Sequence, residues 1–373
     1  MKVAVLGGGQ LGRMMALHGV PLGATFVFLE PGVAPPAGQV GSVVQAPYGD
    51  AAALEAVASS ADVVTYEFEN VPVDAARRLE STVPVRPPPA ALELAQDRLV
   101  EKQGFRSVGI PTPAFHPVDD AGDIEGALAL TGLPAVAKTR RFGYDGKGQA
   151  VVKSADEARE FVEARGPGLI FEAFVPFDRE LSIIAVAGLE GERLYYPLTE
   201  NHHHQGILRF SYAPAPGLAE SVRVRAEAYA EALIDHLGYV GVMAIEFFQV
   251  GEDLLANEMA PRVHNSGHWT QDGAAVSQFE NHVRAVLGLP LGDTSARGYA
   301  AMVNLIGHVP RTGDLLNVPG AHLHLYGKRP RPGRKLGHVN VVGGDVDEVM
   351  AGAARIARHA GWNGPLPALR GGG

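Results

Sequence analysis

Two short apolar segments, each interrupted by a single glutamate, constrain this chain more than any other feature. Gly241-Val242-Met243-Ala244-Ile245-Glu246-Phe247-Phe248 is apolar except for one carboxylate, and Asn257-Glu258-Met259-Ala260 delivers a second. An apolar run of that length reads as a buried strand. Two of them, each carrying one Glu, imply paired strands that aim oxygen atoms at a common point. Hard oxygen ligands of this kind suit Mg²⁺ held between protein and a substrate phosphate. Arg262 follows at once, where it would neutralise anionic charge, and His264, Asn265, His268 and Gln271 crowd the same run. Read alone, each glutamate also fits a strand-end surface carboxylate.

Composition narrows the class. With 373 residues, 46% hydrophobic and 20% charged, the chain has room for two or three domains with large cores. A net charge of −9 argues against a nucleic-acid partner, whose phosphates demand a basic face. Zero cysteines exclude disulfides, thiolate metal sites and a cysteine nucleophile. No apolar run approaches the ~18 residues of a membrane span. The sequence opens into a strand without a basic-then-apolar leader, so the expectation is a cytoplasmic enzyme with no membrane partner.

Strand patterns at 2–6, 25–29 and 62–66, with a helix entered through Arg13, alternate as in a parallel sheet. Residues 84–89 are a proline-dense boundary, and 90–103 reads as one helix closed by Gly104. Strands are expected at 134–138, 149–153, 169–174, 179–186, 193–198 and 242–248, with a helix at 156–164 capped by Ser154. Beyond a boundary near 292–295 come a strand of alternating pattern at 322–326 and a helix at 345–359, ending in a disordered triple-glycine tail. The expected units are 1–89, 90–291 (with a mobile lid at about 110–170) and 292–373.

Four motifs bear on chemistry. Gly7-x-Gly9-x-x-Gly12 after a strand, with Glu30 closing the next, fits a dinucleotide fingerprint, which leaves a nicotinamide-dependent oxidoreductase open. Lys138 ends an apolar strand, and residues 140–149 alternate glycines with Tyr144, Asp145 and Lys147. Backbone N–H groups can turn onto phosphate there, although a solvated hairpin fits too, and no Walker A sequence is present. His202, His203 and His204 form a tract of metal-binding composition. Lys328 to Lys335 is the densest positive stretch; its prolines and glycine make a rigid cationic turn suited to a phosphate monoester, remote in sequence from the other motifs.

The run Asn-Glu-x-Ala-Pro-Arg-x-His-Asn-Ser-Gly-His-Trp-Thr at 257–270 resembles the signature of the 5-(carboxyamino)imidazole ribonucleotide synthases, a family of ATP-grasp enzymes. The resemblance continues through 7–14, Gln96-Asp97-Arg98, 140–149 and 331–338, and spans residues 1 to about 344. It implies an α/β ATP-grasp fold with a Rossmann-like N-terminal domain and a small β-rich C-terminal domain. The implied reaction carboxylates 5-aminoimidazole ribonucleotide with ATP and bicarbonate, through carboxyphosphate. The implied ATP contacts are Arg98, Lys138, Gly143, Tyr144, Asp145, Gly146, Lys147, Gly148, Gln149, Glu172, Ala173, Phe174, Val175, Glu180, His203, Asn257 and Glu258, and Mg²⁺ falls to Glu246 and Glu258. Glu172 would accept from the adenine amino group and Glu180 from the ribose. Arg262 would hold bicarbonate, and Asp145 would orient or deprotonate the substrate amine in a pocket lined by Tyr144. His264 and Asn265 would contact bicarbonate or substrate, and Lys328, Arg334 and Lys335 the ribose phosphate. The family's N-terminal domain binds no dinucleotide, its pattern places His203 rather than a metal near ATP, and a homodimer is implied. Another ATP-grasp carboxylate–amine ligase, such as a formate-dependent purine transformylase, would share the fold and ATP site.

Carboxyphosphate is unstable in water, so residues 142–149 are expected to close over the nucleotide. Hydrogen exchange across that segment should slow when ADP and Mg²⁺ bind; equal protection with and without them would contradict a lid.

Overall fold

The computed structural model describes residues 1–143 and 146–364. Tyr144, Asp145 and the triple-glycine tail lie outside the described residues. The described residues build three sheets. The first is fully parallel, in the order Ser42–Val44, Thr25–Leu29, Lys2–Leu6, Val63–Tyr66. Its strands are apolar on both faces because helices cover both, as parallel sheets require.

Helix Gln10–Gly19 starts at the glycine turn, where an incoming anion would meet backbone N–H groups. The chain fills that place itself. Gly12 N–H donates to Glu67 Oε2 at 2.7 Å, and Gly9 N–H donates to Glu67 Oε1. Glu67 is buried; burial pushes its carboxyl up, and the glycine N–H bonds pull against that. A Cβ on Gly7 or Gly9 would run into the Glu67 side chain. The fingerprint therefore serves an internal carboxylate, and the nicotinamide reading fails for want of a free anion site. Gly9→Ala should cost about 1–3 kcal/mol in denaturant titration through this overpacking, and NADH should give no saturable binding to the parent protein.

The second sheet is antiparallel: Phe115–Val118, Leu169–Ala173, Ala135–Thr139, Gln149–Val152. The glycine-rich segment joins its last two strands. Ser154 caps helix Ala155–Arg165 by accepting from Glu157 N–H, as its sequence signal predicts.

The third sheet has nine strands. Its order runs Asp253–Ala260, Gly241–Val250, Arg179–Ala187, Thr199–His204, Ile207–Ala213, Tyr299–Ile306, Lys335–Gly343, Ala321–Leu325, with Arg193–Tyr195 paired beside Arg179–Ala187. The strands beyond residue 292 thus continue this sheet, through antiparallel pairing of Ile207–Ala213 with Tyr299–Ile306. One core cluster joins it to the first unit: Met14 and Met15 from helix Gln10–Gly19, Phe279 and Val283 from helix Gln278–Leu287, and Trp269 and Ile184 all pack together.

The single helix expected at 90–103 is two, Pro89–Ala95 and Arg98–Ser107, and Gly104 lies inside the second. The break has an electrostatic cause. Asp97 caps the second helix through Leu99 N–H and takes a bidentate pair from Arg140, at 2.9 and 2.8 Å. Arg98 N–H donates to Arg140 O. The start of the glycine-rich segment thus fixes where the helix begins.

Candidate active site

Pairing of Gly241–Val250 with Asp253–Ala260 sets Glu246 directly opposite Glu258. The next partners are Phe247 and Ala256, so Asn257 is an extra residue, a β-bulge. The bulge turns Asn257 and Glu258 toward one cavity instead of opposite faces. Two cavities meet here, of about 660 and 280 Å³. Arg98, Glu246, Glu258, His264, Asn265 and Lys335 line both.

The smaller cavity has an apolar end formed by Val136, Phe174, Val175, Phe177, Leu208 and Phe248; Phe177 stacks on Phe248 at 4.8 Å between centroids. Ala173, Glu180, His203, Gly146, Gln149 and Lys138 complete its wall. His203 Nδ1 pairs with Glu180 Oε2 at 2.9 Å. Among the described residues no group of three or more His, Asp or Glu side chains is placed to hold a metal ion.

Toward the junction the charges become dense. Glu172 is almost fully buried, and its Oε2 receives Lys138 at 2.9 Å and Lys102 at 3.2 Å, while its Oε1 has no protein partner. Burial resists its ionisation, but the two ammonium groups outweigh that and draw its pKa down to about 2. Arg98 Nη1 lies 3.0 Å from Glu258 Oε2. Burial likewise disfavours charge on both junction carboxylates; Arg98 holds Glu258 low, while Glu246 is pushed up. The facing carboxylates Glu246 and Glu258 fit Mg²⁺, an ion that keeps waters and takes further ligands from phosphate oxygens.

The larger cavity brings cations and carboxylates together. Lys328, Arg331, Arg334 and Lys335 supply the positive wall. Lys328 Nζ donates to Gln10 Oε1, tying this wall to the first helix. Arg262 does not stand free: its Nε donates to Glu69 Oε2. His264 is held by a buried relay in which Ser266 Oγ lies 2.9 Å from its Nδ1 and 2.8 Å from Ser182 Oγ, and Asn201 bonds Ser182 in turn. Burial, reinforced by Arg262, lowers the His264 pKa to about 3, so it works as a neutral imidazole. Asn265 exchanges amide hydrogen bonds with Asn304.

The sequence-derived candidates therefore converge. Gly143 and Lys147 reach the larger cavity, and Gly148 packs against Thr139, outside both linings. Tyr144 and Asp145 fall outside the described residues. One placement needs correcting: Lys335 is not on the cationic turn, and its remoteness in sequence does not carry over into space. It begins strand Lys335–Gly343 and borders both cavities, because that strand runs inside the nine-stranded sheet. Sequence reasoning missed Glu67, Glu69, Glu101 and Lys102. Glu67 and Glu69 had a signal: they follow the carboxyl end of a parallel strand, where open α/β sheets place their sites. Glu101 and Lys102 had none, since they sit on what reads as an ordinary helix.

The phosphate-type loop between two antiparallel strands, facing a sheet that carries the paired glutamates, defines an ATP-grasp protein. Residues 103–279 match the ATP-grasp domain family. Residues 1–96 match the ribonucleotide synthetase preATP-grasp domain, and 300–352 the phosphoribosylaminoimidazole carboxylase C-terminal domain. The chain belongs to the N5-carboxyaminoimidazole ribonucleotide synthase family. The Pseudomonas aeruginosa synthase is 47% identical over 95% of this chain and 98% of its own. The crystal structure of the Thermus thermophilus synthetase matches with a TM-score of 0.92 at 57% identity, covering 95% of this chain and 98% of that one. The Aspergillus clavatus synthase in complex with ADP and 5-aminoimidazole ribonucleotide matches with a TM-score of 0.89 at 30% identity, covering 96% and 98%.

The His203–Glu180 pair makes a prediction about protonation. Burial works against charge on His203, but Glu180 outweighs it and raises the pKa to about 9. The pair therefore contributes its full stability below the unfolded histidine pKa of about 6.5 and loses it as pH rises through about 9. In Glu180→Gln burial acts almost unopposed, and a ¹H–¹⁵N titration of His203 should show its pKa fall below that of a free histidine. An unchanged titration would mean the pair does not form.

Proposed function

We propose that this protein carboxylates the amine of 5-aminoimidazole ribonucleotide, using ATP and bicarbonate, and releases ADP and phosphate. The observation that carries this reading is the shared wall of the two cavities. A nucleotide in the smaller one and a phosphorylated substrate in the larger one would bring their reacting ends to Glu246, Glu258, Arg98 and Lys335.

The adenine ring goes between Val136, Phe174 and Phe248, where Glu172 Oε1 still lacks a partner. The ribose faces Glu180 and His203. Lys138, Gly143, Gly146, Lys147, Gly148 and Gln149, with Tyr144 and Asp145, take the phosphates, and Arg98 and Asn257 complete the grip. Glu246 and Glu258 would hold Mg²⁺, which when bound neutralises charge on the β and γ phosphates. Bicarbonate is a poor electrophile because anionic oxygens shield its carbon. Attack of its oxygen on the γ phosphorus releases ADP and gives carboxyphosphate, whose phosphate is then a leaving group. The protein's share of that step is alignment and charge neutralisation. Arg262 reaches the carboxylate oxygens by turning from Glu69, with His264 and Asn265 beside it. Lys328 and Arg334 hold the ribose phosphate, and Lys335, at the junction, serves either anion. The amine attacks carboxyphosphate carbon, phosphate leaves, and Asp145 takes the amine proton in a pocket lined by Tyr144. The homodimer implied by the resemblance and the cytoplasmic location expected from the composition belong to the same proposal. Among the described residues no helix is long and apolar enough to cross a membrane.

The test is ADP release by purified protein. It should require both the ribonucleotide and bicarbonate for full rate, with one carboxylated product per ADP. Formate replacing bicarbonate would favour the transformylase instead. Glu258→Gln should fold normally and lose turnover on the order of 10³-fold or more, several kcal/mol of transition-state stabilisation. Near-normal ADP release at saturating Mg²⁺ would remove Glu258 from the metal site.

A further inference from the structure

Strand Asp253–Ala260 is the outermost strand of the nine-stranded sheet, yet it carries the bulge that presents Asn257 and Glu258. An edge strand leaves half its backbone groups unpaired, and a bulge removes more pairing. Nothing intrinsic would then hold this segment in one conformation. Its outer groups are instead met by helix Arg98–Ser107. Lys102 Nζ donates to Asn257 O at 2.6 Å and to Ala256 O at 3.2 Å. Glu101 Oε1 accepts Met259 N–H at 2.7 Å. The loop before the second sheet adds one bond, Ala256 N–H to Pro111 O at 2.7 Å. Both side chains are buried, with Lys102 wholly inaccessible. A fully buried lysine is costly unless every contact is supplied, and here Glu172 Oε2, 3.2 Å away, completes the set.

We propose that Glu101 and Lys102 are positioning residues that clip the outer edge of this strand, locking the bulge so that Asn257 and Glu258 face the nucleotide cavity together. The two adjacent side chains replace a missing neighbour strand, one donating to its carbonyls and one accepting its N–H. Lys102 also shares Glu172 with Lys138, whose own ammonium lies 3.5 Å from Asn257 Oδ1. The clip therefore couples the adenine end of the site to the metal end through one buried ammonium. Lys102 borders neither cavity, whereas Glu101 also borders the larger one, so the ribonucleotide control is read on Lys102; the inference rests on the nucleotide reading given above.

Calorimetry of ADP binding, with Mg²⁺ and with EDTA, tests it, alongside binding of 5-aminoimidazole ribonucleotide. The parent protein comes first: failure to bind ADP with Mg²⁺ would sink the nucleotide reading itself, whereas normal binding leaves the clip separately at risk. Lys102→Met should weaken ADP binding in Mg²⁺ by about 10- to 100-fold, the usual cost of losing a residue that orients metal ligands. Binding in EDTA should fall less, so the gain from Mg²⁺ shrinks, and ribonucleotide binding should move little. Glu101→Met should act in the same direction. Glu101→Gln, which keeps an oxygen for Met259 N–H, should recover most of that loss, and this pair decides the matter if Lys102→Met fails to fold. The clip is refuted if folded Lys102→Met keeps the full Mg²⁺ dependence or loses both ligands equally, or if Glu101→Gln is as impaired as Glu101→Met.

Discussion

Positive charge is buried at the junction of the two cavities before any anion arrives, and the rest of the architecture keeps it there. Lys102, Lys138 and Arg98 share two strongly ionised carboxylates, Glu172 and Glu258. Glu101, pushed up to about 8 by burial, and Glu246, also pushed up, add less negative charge than their number suggests. Each buried ion costs several kcal/mol unless its contacts are complete. Cations in such a place are tolerable where their contacts are complete and the surrounding backbone is rigid, and they suit the binding of a polyanion. Helix Arg98–Ser107 supplies the rigidity by carrying Arg98 and Lys102, with the Glu101 carboxylate fastened to Met259 N–H. Its start is itself fixed by the Asp97–Arg140 pair, so the phosphate-type loop and the helix position each other.

The same economy governs the larger cavity. Arg262 is held by Glu69, and Lys328 by Gln10, both from the first unit. These partners keep the cations oriented without neutralising them irreversibly, because each contact is one that an incoming carboxylate or phosphate can replace. His264 differs: burial and Arg262 keep it neutral, and its serine relay fixes the ring. In the proposed reaction a neutral, fixed imidazole beside a cationic wall would orient an oxyanion without competing for its charge.

Much of this was legible in the sequence, for identifiable reasons. Glu246 stood out because a carboxylate in an apolar strand has no reason to be there unless it serves something. The strands at 2–6, 25–29 and 241–250 were readable as apolar runs. Thr199–His204 was not, since a polar, histidine-rich segment reads as loop until its neighbours in the sheet are known. The break before Arg98 depends on Arg140, and the place of Lys335 depends on a strand that pairs with Tyr299–Ile306. Both are long-range facts that no local pattern carries. Glu101 and Lys102 were invisible for a different cause: a charged pair on a helix is the ordinary signature of a solvated face, and only an edge strand packed against it reverses the meaning.

The glycine turn shows how a motif changes function without changing shape. Strand, turn and helix N-terminus keep the geometry that cradles a dinucleotide phosphate elsewhere. Here Glu67 occupies the N–H groups of Gly9 and Gly12, and Glu30 takes Gly8. Once those donors are filled from within, the carboxyl end of the sheet can no longer bind a phosphate and becomes a wall. Glu67 and Glu69 project from it, the second onto Arg262. In the proposed reaction a phosphorylated substrate in the larger cavity meets Lys328, Arg331 and Arg334 with its phosphate, the first of them bonded to Gln10 and within the field of Glu67. Its uncharged end is left toward the junction, where the chemistry is proposed to occur. One internal carboxylate, standing where a dinucleotide phosphate would, thus turns a phosphate cradle into a wall and leaves phosphate recognition to side-chain cations.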